Sequence, residues 1–173
     1  MLNEGTRYLE SAAHELEGDH AISVANSSKA IEFAAKSLLD LAGFSYPLRH
    51  DIGPGLELVQ RSLVGGEDDE SLPRAQRYVA RIGMLCDLQG HILHSAAEYG
   101  YAGTLASLIL NKTDARVFYD YGRECLDIAS WVVDGVRKGT FRVEQVEPPP
   151  KVRSKPHEVG SNRSGAAASS DWR

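Results

Sequence analysis

Four side chains able to bind a metal or move a proton recur at helical spacing: Asp87, His91, His94 and Glu98. At about 100° per residue they fall within about 60° of one another, on the side of a helix opposite its apolar stripe. Two imidazoles flanked by two carboxylates have the donor set for a divalent cation, and histidine exchanges protons near neutral pH. The same spacing is that of ordinary i,i+4 pairing on a solvated face, and one helix rarely completes a coordination sphere. No metal is therefore expected, and His91 and His94 stand as candidate acid–base groups. No cofactor is expected either. The chain has no G-x-x-x-x-G-K-S/T loop, no G-x-G-x-x-G after a strand and no H-E-x-x-H.

Arg74, Arg77 and Arg81 follow one another along a neighbouring stripe of the same helix. Forked guanidinium hydrogen bonds could hold a phosphate or an RNA backbone there. The bland reading pairs them with the acidic loop Asp68, Asp69 and Glu70 just upstream. Glu32 and Lys36 form an i,i+4 pair in the stabilising orientation. With His50 and Asp51 they could line a polar pocket, in which His50 either contacts phosphate or simply holds the loop.

These residues need a frame of helices. The first is expected over 4–17, ended by Gly18. The second runs from Asp19 or His20 to Ala42, with Asp19 as N-cap, and is apolar on two sides, as a central bundle helix is. Gly43 suits the left-handed residue after its end. A short third helix spans 54–63. The fourth spans 73–99, with Ser71 as cap and Pro73 in its first turn. A loop or short helix holds Leu105 to Leu110. Thr113 caps a last helix over 114–138. Residues 141–146 are the one weak strand candidate. The fold class is all-α: an up-and-down bundle of four main helices plus a short one, over residues 1–140.

Composition sets outer bounds. At 173 residues and 42% hydrophobic content, one domain with a real core is expected. Residues 1–150 hold 14 Lys+Arg and 22 Asp+Glu, whereas residues 151–173 hold five and two. An acidic body argues against broad, nonspecific nucleic-acid binding. Residues 141–173 form a basic segment rich in Pro, Ser and Gly, with too few large apolar side chains to offset ordering entropy, and disorder is expected. Cys86 and Cys125 sit in apolar stripes and read as buried free thiols. There is neither a basic start with an apolar run nor a stretch long enough to span a membrane, so a cytoplasmic, soluble protein with no membrane contact is expected.

The run Ala30-Ile31-Glu32-Phe33-Ala34-Ala35-Lys36-Ser37-Leu38-Leu39, then Gly43-Phe44, Tyr46-Pro47 and His50-Asp51, resembles prokaryotic HEPN domains of the nucleotidyltransferase-associated type. The long fourth helix, ending at Glu98-Tyr99-Gly100, and the final helix fit the same plan. The resemblance implies a helical bundle, often a homodimer, commonly paired with a minimal nucleotidyltransferase in toxin–antitoxin or defence systems. Many members are metal-independent ribonucleases that use Arg, four to six residues, then His. Here Arg116 has the gap, but Tyr121 stands where histidine would. Tyrosine, with a pKa of about 10, does not shuttle protons near neutrality. Arg116 and Tyr121 remain candidates only with His91 or His94 supplying the proton.

The reading is thus a noncatalytic HEPN-type module, a homodimer as the resemblance implies, that binds nucleotide or RNA, a nucleotidyltransferase partner, or both. Arg77, Arg81, His50 and Arg116 are its expected nucleotide or RNA contacts. The alternatives are a ribonuclease with a displaced acid–base histidine, and a helical adaptor.

Overall fold

A computed structural model of the chain describes residues 1–45, 52–65 and 70–146, apart from the side chains of residues 54 and 90–94. The Met1 carbonyl accepts from the backbone N–H of Glu4 and Gly5, both at 3.0 Å, and opens α1 (Leu2–Glu15) two residues earlier than expected. Asp19 caps α2 (His20–Leu41): its carboxylate accepts from the N–H of Ala21 and Ile22 at 3.0 and 3.1 Å. Gly43 ends the helix at φ +72°, where a Cβ would be strained.

α2 is the centre of the body, as its two apolar sides predict. It packs against α1 and against the helices that follow. Small side chains make this possible. Ala30, Ala34 and Ala35 are fully buried beside Ile31, Leu38 and Leu39. Ser23 Oγ donates to the Ala12 carbonyl at 2.9 Å, so a hydroxyl is buried with its hydrogen bond made.

α3 (Gly53–Ser62) starts one residue before Pro54 and runs straight into β1 (Leu63–Gly65). The expectation that Leu63 is helical is corrected. α4 (Ser71–Tyr99) begins at Ser71 itself, with Glu70 at the N-cap position and no side-chain cap there, so Ser71 is not the cap. Gly100 stops α4 at φ +79°, and a Cβ on it would meet the Thr104 carbonyl oxygen at 2.1 Å.

α5 (Ala106–Ile109) is a single turn, and α6 (Lys112–Arg137) follows. Its cap is Asn111 rather than Thr113. Asn111 Oδ1 accepts from Thr113 N–H at 2.8 Å and Asp114 N–H at 3.3 Å, while Asp114 accepts back from Asn111 N–H at 2.9 Å. This reciprocal pair closes two orphan donors. Asn111→Ala should lower stability by about 1 kcal/mol in urea unfolding, whereas Thr113→Ala should change it by a few tenths.

β2 (Phe141–Val143) pairs antiparallel with β1, with Leu63 opposite Val143, Val64 opposite Arg142 and Gly65 opposite Phe141. Glu144 N–H extends the ladder to the Ser62 carbonyl at 2.9 Å. The body therefore does not end at residue 140: Phe141 is 1% exposed in the main core, with Leu63, Val79, Val132 and Val133. Residues 147–173, expected to be disordered, lie outside the described residues, as do His50 and Asp51. Six helices and two short strands among the described residues make the chain all-α. No helix among them is long and apolar enough to cross a membrane.

Cys86 and Cys125 are free and buried. Burial pushes the Cys86 thiol up to about 12 and the Cys125 thiol higher still. Both should be silent to a thiol reagent at pH 8 in the native protein and both should react once urea unfolds it. The unfolded thiols, with ordinary values of 9.0, release protons that the folded ones keep. Stability should then fall as pH rises above that value, by up to about 1.4 kcal/mol per pH unit for each thiol.

Candidate functional site

Three places on this frame collect the chemistry-bearing residues. The first is the seam between α4 and α6. Arg81, on α4, donates from Nε and a terminal nitrogen to the two carboxylate oxygens of Glu124, on α6, at 3.2 and 3.3 Å. Its guanidinium also lies 5.8 Å from the centre of the Tyr121 ring. Glu124 raises the affinity of Arg81 for its proton. One of the expected phosphate contacts is thus engaged by a carboxylate. It pairs with Glu124, while Asp68 and Asp69 of the acidic loop lie outside the described residues. Arg77, one turn earlier, is exposed, as is Arg74.

Arg116 and Tyr121 share α6 but do not meet. Arg116 reaches Asp120 at 3.3 Å and stacks over Tyr119 at 5.9 Å, while Tyr121 turns toward Arg81 and Phe118. Asp120 also holds Arg123 at 3.2 Å. Each of these arginines is matched by an acid one turn away, the usual arrangement of an exposed helix face. Between the two helices a cleft of about 610 Å³ is lined by Tyr78, Asp120, Arg123, Glu124, Asp127, Ile128 and Trp131. Tyr78 and Trp131 meet edge to face across it at 5.8 Å.

The second place is the polar face of α2. Glu32 and Lys36 form the expected ion pair. Lys36 lies 5.7 Å above the Phe33 ring, Phe33 stacks on Tyr8 at 5.5 Å, and Lys29 lies 5.6 Å above Tyr8. Two stacked rings thus lie between two cations where α1 crosses α2. Lys29 continues to Glu98 at 2.8 Å and so ties the end of α4 to α2. The Glu98 carboxylate raises the affinity of Lys29 for its proton.

This pairing bears on the quartet of the fourth helix. Glu98 is three-quarters buried against Lys29, so that end of the face is not solvated. Asp87, about 16 Å away along α4, lies against the first residue of α3: a Cβ on Gly53 would meet its Oδ1 at 2.1 Å. A carboxylate there answers the positive end of α3. Each carboxylate has a structural task of its own. The His91 and His94 side chains lie outside the described residues, and among those residues no group of three metal-binding side chains converges.

The third place was not singled out from the sequence. Within the eleven residues from Tyr99 to Ile109, Tyr99 is 82% exposed, Tyr101 62%, Leu105 67%, Leu108 76% and Ile109 40%. Ala106 and Leu110 face inward, onto a small second core with Val24, Ala97, Ala115 and Phe118. Ile22, in the first turn of α2, and Val117, in the second turn of α6, are both well exposed, and Glu17 and Lys112 join these ends at 2.6 Å. The run Leu105 to Leu110 was a legible signal, since four of its six residues are Leu or Ile and it is too short for a core helix. Glu124, Tyr78 and Trp131 had no such signal. Glu124 lies 43 residues from Arg81, and no local spacing joins them.

No curated protein and no solved structure matches the chain. The family model of the HEPN domain matches residues 1–81, which carry α1, α2, α3, β1 and α4 as far as Arg81. The Arg116–Tyr121 segment lies beyond the matched residues. Residues 1–81, just under half of the chain, are thus similar to the HEPN domain.

Proposed function

We propose that this chain is a noncatalytic HEPN-type module that works by association: it dimerises through the α5 end and acts on a partner of the minimal nucleotidyltransferase type, in a toxin–antitoxin or defence-like system of the cytoplasm. The observation that carries the proposal is the exposed segment from Tyr99 to Ile109. Such a segment amounts to several hundred Å² of apolar surface, at the upper limit of what a monomer tolerates without a partner. Laid against its own copy, it would bury on the order of 1,200 Å², the lower bound of a stable interface. Its side chains are uncharged, so a twofold arrangement brings no like charges together. The partner class rests on the family.

The candidate catalytic and RNA-contacting arginines favour this reading over chemistry. Arg81 and Arg116 are held by Glu124 and Asp120, so an RNA phosphate would have to displace a carboxylate from either. Tyr121, in the position of the motif histidine, packs on Arg81.

Purified protein incubated with RNA in EDTA tests the noncatalytic part. We expect no cleavage above buffer, from the unmodified chain or from His91→Ala, His94→Ala and Arg116→Ala variants. Cleavage by the unmodified chain that disappears with one of these substitutions would establish a metal-independent ribonuclease and overturn the proposal.

A further inference from the structure

Among the acids on the α4–α6 cleft, Asp127 differs from its neighbours. Asp120 is bracketed by Arg116 and Arg123, and Glu124 is held by Arg81. Asp127 is exposed and has no ion-pair partner among the described residues. It lies one turn from Trp131 on α6, and Tyr78 faces Trp131 from α4. A bare carboxylate beside an indole and a phenol is a site for an organic cation. The carboxylate supplies charge, and the ring faces supply the quadrupole attraction that is strongest for tryptophan.

The chain carries a matching group. Residues 151–155 read Lys-Val-Arg-Ser-Lys, which puts three cations at alternate positions, and residues 151–173 hold five basic and two acidic side chains against an acidic body. In an extended chain alternate residues project to one side about 7 Å apart. The acids at 120, 124 and 127 stand about 6 and 4.5 Å apart along α6.

Reach is also met. The Phe141 ring touches Trp131, at 5.3 Å between centres. The five Cα-to-Cα steps from Phe141 to Val146, and the five from there to Lys151, each span at most about 17 Å. The chain can therefore return to the cleft from wherever Val146 lies. Tethering also raises the effective concentration of the segment well above that of a free peptide.

We propose that the basic segment 151–155 docks back on the cleft lined by Tyr78, Asp127 and Trp131, as an intramolecular strap over the α4–α6 seam. The strap covers Trp131 and supplies Asp127 with its counter-ion. Because it is held by charge, salt and charge reversal loosen it.

The test uses the full chain with Trp172→Phe, which leaves Trp131 as the single tryptophan. Acrylamide quenching then reads how far Trp131 is covered. We expect the quenching constant to rise about twofold in high salt, in the Lys151→Glu, Arg153→Glu, Lys155→Glu triple variant and in Asp127→Lys, as the screened or reversed charges release the strap. Combining Asp127→Lys with the triple variant should restore the low value. Equal quenching in all four proteins would overturn the proposal. So would quenching that changes on dilution of the unmodified chain, since that would put the segment on a second copy.

Discussion

Replacing Leu105 and Leu108 together by aspartate should turn a dimer into a monomer while the helical circular dichroism stays unchanged. Both side chains are more than two-thirds exposed in the single chain, so the double variant disturbs no core packing. In the proposed dimer the same positions become the centre of an apolar interface. Two carboxylates on each copy would then be desolvated next to their symmetry mates, with no cation to offset them. Weakening of at least about 100-fold, or about 2.8 kcal/mol, is expected. Sedimentation of the two proteins side by side reads the difference. A double variant that associates as well as the unmodified chain would move the dimer surface elsewhere. The exposed pair Met84 and Leu88, beside the α3–α4 groove, would be the next surface to test.

The second large effect lies at the other end of the molecule. Phe141→Ala should cost about 3–5 kcal/mol in urea unfolding, the range for a fully buried aromatic side chain. Phe141 is 1% exposed, packs edge to face on Trp131, and lies so close to α6 that a Cβ on Gly135 would meet its ring at 2.3 Å. Gly135→Ala should therefore cost stability as well, for the opposite reason: the ring must shift to admit a methyl group. Were residues 141 onward a free tail, Phe141→Ala would change nothing.

That example marks where the sequence was and was not legible. α2 could be read in full because it carries its own evidence: an Asp cap, two apolar sides and a glycine that takes positive φ. Its place at the centre of the body followed from the same pattern. β2 showed only as the weak strand candidate over 141–146 and β1 not at all, because a three-residue strand has no period, and their pairing joins residues 63–65 to 141–143 through the fold alone. The cap of α6 was misplaced by two residues since Asn111 and Thr113 are both good caps. Asp114 settles it by reaching back to Asn111 N–H.

The candidate sites divide in the same way. The local pair Glu32–Lys36 forms as its spacing requires. Arg81 was picked out for its type and position, and its partner Glu124 is set by the crossing of two helices, which spacing along one helix does not contain. Asp87 and Glu98 share a face, as helical geometry demands, yet one meets α3 and the other α2. A face read from one helix becomes two separate environments once other helices are laid on it. The apolar run at α5 is legible as a short element, but only its exposure in the fold marks it as a surface.

The measurement that bears most directly on the proposed function is the solution mass of the unmodified full-length chain by sedimentation over a range of concentrations. Association through the α5 end gives twice the chain mass of 18.9 kDa at micromolar concentration, falling toward the single-chain value on dilution. A mass that stays at 18.9 kDa throughout would contradict it.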